Sequence, residues 1–312
     1  MAGLSDDARR QSPTQLPDCP ITQLPDSRVT RLPDSRRSLE IGRRARLELV
    51  FEARGGRTAI ARAYAEPPFR IGRSFDVDGA AYVILVCSGP GVFAGDALDL
   101  SIRVRPGACV ILASQSALQV HPSSASTPAL IRHRYDVEED GELQAHWDPV
   151  IPFAGARLDQ RFELQIDEPG RLYWSDALMS GRVDRSETWA FDHVAHELRL
   201  LVGTSLKYLE RYTLQPRDRS MTQPWVGGGM HYMATALTHH DGVTPETAEL
   251  IQREIETGGD VRVRAGVDLL DSRLVIGRLL ASCGAPFASV RASYRQLVMR
   301  SIFDRPVQRL RK

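Results

Sequence analysis

From about residue 44 onward the chain is a succession of short runs in which apolar and polar side chains take turns. In ARLELVFEA (45–53), Leu47, Leu49 and Phe51 fall on one side and Arg46, Glu48 and Glu52 on the other. A period of two is that of a strand with one face buried. TAIARAY (58–64), AYVILVC (81–87), LDLSIRV (98–104), ACVILASQ (108–115), RFELQI (161–166) and HELRLLV (196–202) are β-rich runs of similar length. Between them Gly55-Gly56, Pro106-Gly107, Asp140-Gly141 and Pro169-Gly170 act as turn signals. Up to about residue 215 the spacing is too tight for crossover helices, which excludes a doubly wound α/β sheet. A sandwich, a barrel and a β-solenoid remain open, because each buries one face of short strands.

The period changes late in the chain. TPETAELIQREIETGG predicts a helix with Thr244 as N-cap, Pro245 at its first position and Gly258-Gly259 as its stop. Ala248, Ile251 and Ile255 form its apolar stripe. A strand pair, VRVRAGV (261–267) and SRLVIGRLL (272–280), follows. A last helix is expected from about Pro286 to Phe303, with Val290, Tyr294, Leu297, Val298 and Ile302 on one face. The expected fold is therefore mainly β, solenoid- or sandwich-like, with a few helices towards the C-terminus.

The first forty residues follow another pattern. TQLPDCPI, TQLPDSRV and TRLPDSRR repeat with a period of eight from Thr14, Thr22 and Thr30. One leucine and a Pro-Asp pair per unit is too little apolar surface to offset the entropy of ordering. Residues 1–40 are thus expected to be a disordered tail, and 41–312 one β-rich domain with helical elements near its end.

Composition adds mainly exclusions. The 312 residues are 42% hydrophobic and 25% charged, as in globular proteins with a sizeable core. A net charge of +1 provides no field for nucleic acid or a membrane surface. No apolar run reaches membrane-spanning length and no signal segment opens the chain. Cys19, Cys87, Cys109 and Cys283 are far apart without a C-x-x-C pair, which points to a reduced, cytoplasmic protein.

The glycine-rich stretch CSGPGVFAGDALDLSIRV (87–104) looks like a phosphate loop but fails the test. Gly89, Gly91 and Gly95 are spaced one residue too wide for G-x-G-x-x-G, and Pro90 removes an N–H. A strand rather than a helix follows, so no helix dipole stands behind the loop. G-x-S-x-G, H-E-x-x-H and P-loop signatures are missing. His193 and His196 are three apart on a strand and cannot face one side, so they are read as satisfied or exposed histidines. Asp96, Asp148, Asp176, Glu187 and Glu210 each stand beside a turn or strand end, where a carboxylate is ordinarily a surface group.

Several longer segments resemble the urease accessory protein family UreD, called UreH in some organisms. RRARLELVFEARGGRTAIA, GVFAGDALDLSIRVRPGACVILASQSA, PVIPFAGARLDQRFELQ, LYWSDALMSGR, SETWAF, YLERYTL, QPWVGG and VDLLDSRLVIGRLL occur in the family's order. The resemblance implies a scaffold rather than an enzyme. Such a scaffold binds the accessory proteins UreF and UreG, docks on the urease apoprotein and offers nickel a polar path. It implies no tightly bound cofactor, only nickel in transit. By their match to family motifs, Asp96, Asp176, Glu210 and Glu187 are the expected acids of that path. Weak oxygen ligands suit an ion that must be released again. Departures from the family pattern fall at Cys87, where a histidine is usual, and at Gln119, Gln144 and the terminal RPVQRLRK. A diverged β-rich binding module without nickel transit is the alternative.

Overall fold

Residues 42–304, apart from 124–125, 224–225 and 259, are described by a computed structural model. They lie in one compact unit, Glu40–Lys312. The period-eight repeats and the terminal RPVQRLRK lie outside the described residues.

The alternating runs do form strands. The described residues begin with two hairpins, β1 (Arg44–Arg54) with β2 (Arg57–Ala65), and β3 (Phe69–Val77) with β4 (Ala80–Cys87). It then crosses repeatedly between two facing sheets. β5 (Ala97–Val104) pairs in parallel with β1, and β6 (Cys109–Ser114) with β4. After the short β7 (Leu118–Val120), β8 (Ala129–Val137) returns to the first sheet and β9 (Glu142–His146) to the second. The short β10 (Val150–Pro152) precedes β11 (Arg157–Ile166) in the first sheet and β12 (Arg171–Met179) in the second. β13 (His193–Val202) and the antiparallel β14 (Ser205–Leu214) complete the first sheet. β15 (Tyr232–His239), β16 (Val263–Asp271) and β17 (Leu274–Ala281) complete the second.

This is a solenoid-like arrangement of two sheets, and it settles what the pattern left open. Parallel neighbours need a crossover, and here the crossover from β5 to β8 is β6, a strand of the opposite sheet. Both sheets keep free edges, β2 and β14 in one, β3 and β16 in the other, so no barrel closes.

Between the sheets lies the main core. Leu98, Leu100, Ile102 and Val104 of β5 are each no more than 3% exposed, facing Leu112, Leu143, Trp174 and their neighbours. Burying each such side chain contributes about 2 kcal/mol. A second core covers the outside of the second sheet with helices α1 (Pro245–Thr257) and α2 (Gly284–Ser301). α1 starts as expected: Thr247 N–H donates to the Thr244 hydroxyl oxygen, and Thr244 N–H to that of Thr247. On α2 the buried residues Phe287, Arg291, Tyr294, Arg295, Val298 and Met299 recur at helical spacing. The ring of Tyr294 lies so close over β17 that a Cβ on Gly277 would be 2.3 Å from its Cζ.

Candidate functional site

The loop that looked like a phosphate cradle is a clasp. Gly91, at φ 125°, brings the backbone so near β7 that a Cβ would stand 2.2 Å from the Gln119 carbonyl oxygen. Asp96 closes the clasp. Its carboxylate accepts from Arg43 N–H at 2.8 Å, Arg43 Nη2 at 2.8 Å and Phe93 N–H at 3.0 Å. Burial opposes the charged form, but the Arg43 guanidinium and the two N–H donors outweigh it and hold the carboxyl below the usual range. Asp96 is 3% exposed, not the surface acid its turn position suggests. Gly42 against Gly95 lets the chain come close enough for Arg43 to reach it.

Glu187 is likewise clamped. Arg182 Nε donates to it at 2.8 Å, Arg182 Nη2 makes a second bond, and the guanidinium rests 4.1 Å over the Phe153 ring. The Arg182 bonds hold the Glu187 carboxyl below the usual range, ahead of an opposing burial effect.

Asp176 and Glu210 are brought together. Asp176 lies on β12 in the same inward-facing phase as Leu172, Trp174 and Leu178. Across the second sheet its row continues through Thr235 on β15 to Arg278 on β17, which share its face because directly paired residues do. The facing row on the first sheet is Gln160, His196 and Tyr212, on β11, β13 and β14. Polar contacts span the gap between the sheets here, among them Arg278 Nη2 donating to the Tyr208 hydroxyl at 2.7 Å. His196 Nδ1 is 3.9 Å from Asp176 Oδ2, and Arg278 Nη2 is 3.1 Å from Glu210 Oε2. Tyr208 hydroxyl donates to Glu210 beside that second contact. A polar seam thus crosses the interior and reaches β14, the edge strand of the first sheet, and the facing β17.

On its other side Asp176 lines a cavity of about 160 Å³. Gln160, His133 and Asp148 share the walls, and the cavity leads outward past Cys87 to a rim at Gly89–Gly91 and Gln115–Gln119. Asp176 is 15% exposed, and that exposure opens onto this cavity. Burial, then the Glu210 charge, push its carboxyl up to about 7, with Arg291 and the Thr235 N–H opposing. His196 is 3% exposed. Burial pushes it down to about 4, so it is neutral at physiological pH. Neither of its ring nitrogens has a hydrogen-bond partner among the described residues. It stacks on Tyr212 with ring centroids 4.7 Å apart. His193, three residues away, points to the other face and meets Asp159 at 2.9 Å.

Of the four expected acids, then, two share the seam and two stand apart, each clamped by an arginine. Sequence reading missed His196, Gln160, Thr235 and Tyr212. A signal for two of them existed: Gln160 and His196 occupy the apolar phase of LDQRFELQI and HVAHELRLLV. Chemically, the seam offers a carboxylate and a neutral imidazole within one ion's reach, a set suited to borderline divalent metals. No group of three His, Cys, Asp or Glu that could hold a metal ion occurs among the described residues. No helix among them is long and apolar enough to cross a membrane.

Comparison with known proteins agrees with the segment-by-segment likeness. Residues 43–312 match the family described as UreD urease accessory protein. "Urease accessory protein UreD" of Sorangium cellulosum is 35% identical over 178 residues, 56% of this chain and 56% of that relative's length. "Urease accessory protein UreD 1" of Synechococcus sp. is 31% identical over 189 residues, 61% of this chain and 71% of the relative. "Urease accessory protein UreD 2" of Streptomyces griseus is 29% identical over 286 residues, covering 85% of this chain and 92% of the relative. With the match running from the first strand to the last residue, the chain belongs to the UreD urease accessory protein family, a family of accessory proteins rather than enzymes.

Proposed function

We propose that this protein is a cytoplasmic scaffold for nickel insertion into apo-urease, assembling with UreF and UreG and passing the ion through its interior. The observation that carries this reading is the polar seam in which Asp176 stands 3.9 Å from His196 and continues to Glu210 on the edge strand β14, opposite β17. A sheet sandwich gains nothing in stability from a carboxylate, an unpartnered imidazole and a cavity at its centre. A path for a hydrated cation needs all three.

Nickel is cargo here. Near pH 7 about half of the Asp176 carboxyls are ionised and ready to meet an incoming divalent ion, and a neutral His196 nitrogen offers a second ligand. Two protein ligands completed by water give weak, exchangeable binding, as transit requires. Glu210, tied to Arg278 and Tyr208, holds the position where the seam meets the outside. Asp96 and Glu187, expected on the path from motif likeness, hold loops instead: Asp96 fixes the loop beside the cavity rim, and Glu187 fixes Arg182 on Phe153.

The assembly is tested by co-expressing the tagged chain with UreF, UreG and urease subunits. Recovery of a complex containing all of them, together with urease activation that depends on the chain, is the expected result. A chain that purifies alone and leaves activation unchanged when deleted would overturn the scaffold role and favour a binding module of another assembly.

A further inference from the structure

Helix α2 carries a buried cation that makes no salt bridge among the described residues. Arg291 is 7% exposed and forms no ion pair among the described residues. Its Nη2 donates to the Trp147 carbonyl oxygen at 2.8 Å and reaches Ser175 Oγ at 3.5 Å. Each acceptor is the sequence neighbour of an acid on the cavity wall, Trp147 of Asp148 and Ser175 of Asp176. Successive side chains on a strand point to opposite faces, so the guanidinium sits on the outer face of β12, behind the point where Asp176 looks inward. The two acids are near enough for their fields to act on it. Burial works against its charge, while Tyr173, Asp176 and Asp148 support it.

A guanidinium buried without a hydrogen-bonded carboxylate is expensive, and an apolar side chain on α2 would fill that place at less cost. Its charge therefore calls for a reason outside packing. We infer that Arg291 is a positioning residue of the nickel path, a fixed positive charge behind Asp176 and Asp148 that weakens their hold on a divalent cation and keeps it moving. This rests on the nickel reading of the preceding section. The electrostatics have a definite sign. Asp176, with Glu210 close by on β14 and neutral His196 on β13, would become a trap for a divalent ion in a medium of low dielectric constant. Arg291 opposes that from behind.

The test is equilibrium dialysis of the purified full chain, in complex with its partner proteins where needed, against Ni²⁺ alone. The variants are Arg291→Gln, which keeps hydrogen-bond donors, Arg291→Met, Arg291→Lys and Asp176→Asn. Both neutral variants should bind Ni²⁺ on the order of tenfold more tightly and deliver less of it to co-expressed urease, while Arg291→Lys stays close to wild type. An arginine that only clamps α2 to Trp147 and β12 would behave in the opposite way, its loss weakening binding. Unchanged or weaker Ni²⁺ affinity in Arg291→Gln and Arg291→Met would overturn the inference. So would equal tightening in Arg291→Lys, or failure of both neutral variants to fold, since the residue would then be structural. Asp176→Asn separates the two levels. If it binds Ni²⁺ like wild type, the path reading itself has failed. If it loses affinity while Arg291→Gln is unchanged, only the role of Arg291 is wrong.

Discussion

Replacing Asp176 by Asn should make the protein more stable, and increasingly so as pH rises from about 4.5 to 7. In the folded chain, burial first and the Glu210 charge second lift the Asp176 carboxyl from the usual 3.8 to about 7. A raised folded-state value contributes stability that is fully present below the unfolded value and lost as pH climbs through the folded one. The native state therefore loses ground from about pH 4 and stops losing near pH 7. At about 1.4 kcal/mol per decade, the gap between 3.8 and about 7 caps the loss at about 4 kcal/mol. Asn keeps the shape and cannot ionise. Thermal melts of both proteins from pH 4.5 to 8 read the effect, and the quantity of interest is variant minus wild type. His196, whose depressed value costs stability below about pH 6.5, is common to both and cancels. About 1 kcal/mol of that is already lost at pH 4.5, so at about 2–4 °C per kcal/mol the difference in Tm should grow by roughly 6–12 °C and level off above pH 7. A difference that is flat with pH, or a variant less stable throughout, would refute the claim that a costly buried acid is kept in the seam. The same substitution should lower urease activation, the usual trade of stability against function.

Other outcomes follow from the same geometry. Asp96→Ala removes the acceptor of the clasp and should cost about 2–4 kcal/mol, read by urea denaturation, with urease activation falling only as far as folded protein does. Gly277→Ala pushes a methyl into the Tyr294 ring and should cost about 1–3 kcal/mol, seen as a lower Tm with α2 loosened in hydrogen exchange. Glu210→Ala leaves Arg278 more than half exposed to water, so stability should change by no more than about 1 kcal/mol. Nickel delivery should nevertheless drop, measured as metal content of co-expressed urease.

Much of the architecture was legible. LDLSIRV alternates because one of its faces meets the core and the other meets water, and β5 spans it. TPETAELIQREIET carries its own start signal, and α1 begins at Pro245 behind the Thr244 cap. β15 was not legible: YMATALTH shows no alternation because the sheet interior covers one face and the helices the other. Nor does alternation say which sheet a strand joins, since a sandwich and a solenoid bury the same positions. At the site, family likeness marked Asp176 and Glu210, but no local pattern joins residues 34 apart that sit on facing sheets. His196, read from the sequence as a satisfied or exposed histidine, is neither: it is buried and its ring nitrogens have no partner among the described residues. The more informative sign was its place in the apolar phase of β13. Asp96 looked exposed because its partner, Arg43, lies 53 residues earlier.

The central claim is that nickel passes through the seam between Asp176 and Glu210. Its most direct test is the nickel content of urease co-expressed with UreF, UreG and the Asp176→Asn, Glu210→Gln double variant, beside a pull-down of the complex. An intact complex that yields urease with little nickel, less than with either single variant, is the predicted result. Fully loaded urease from the double variant would contradict it.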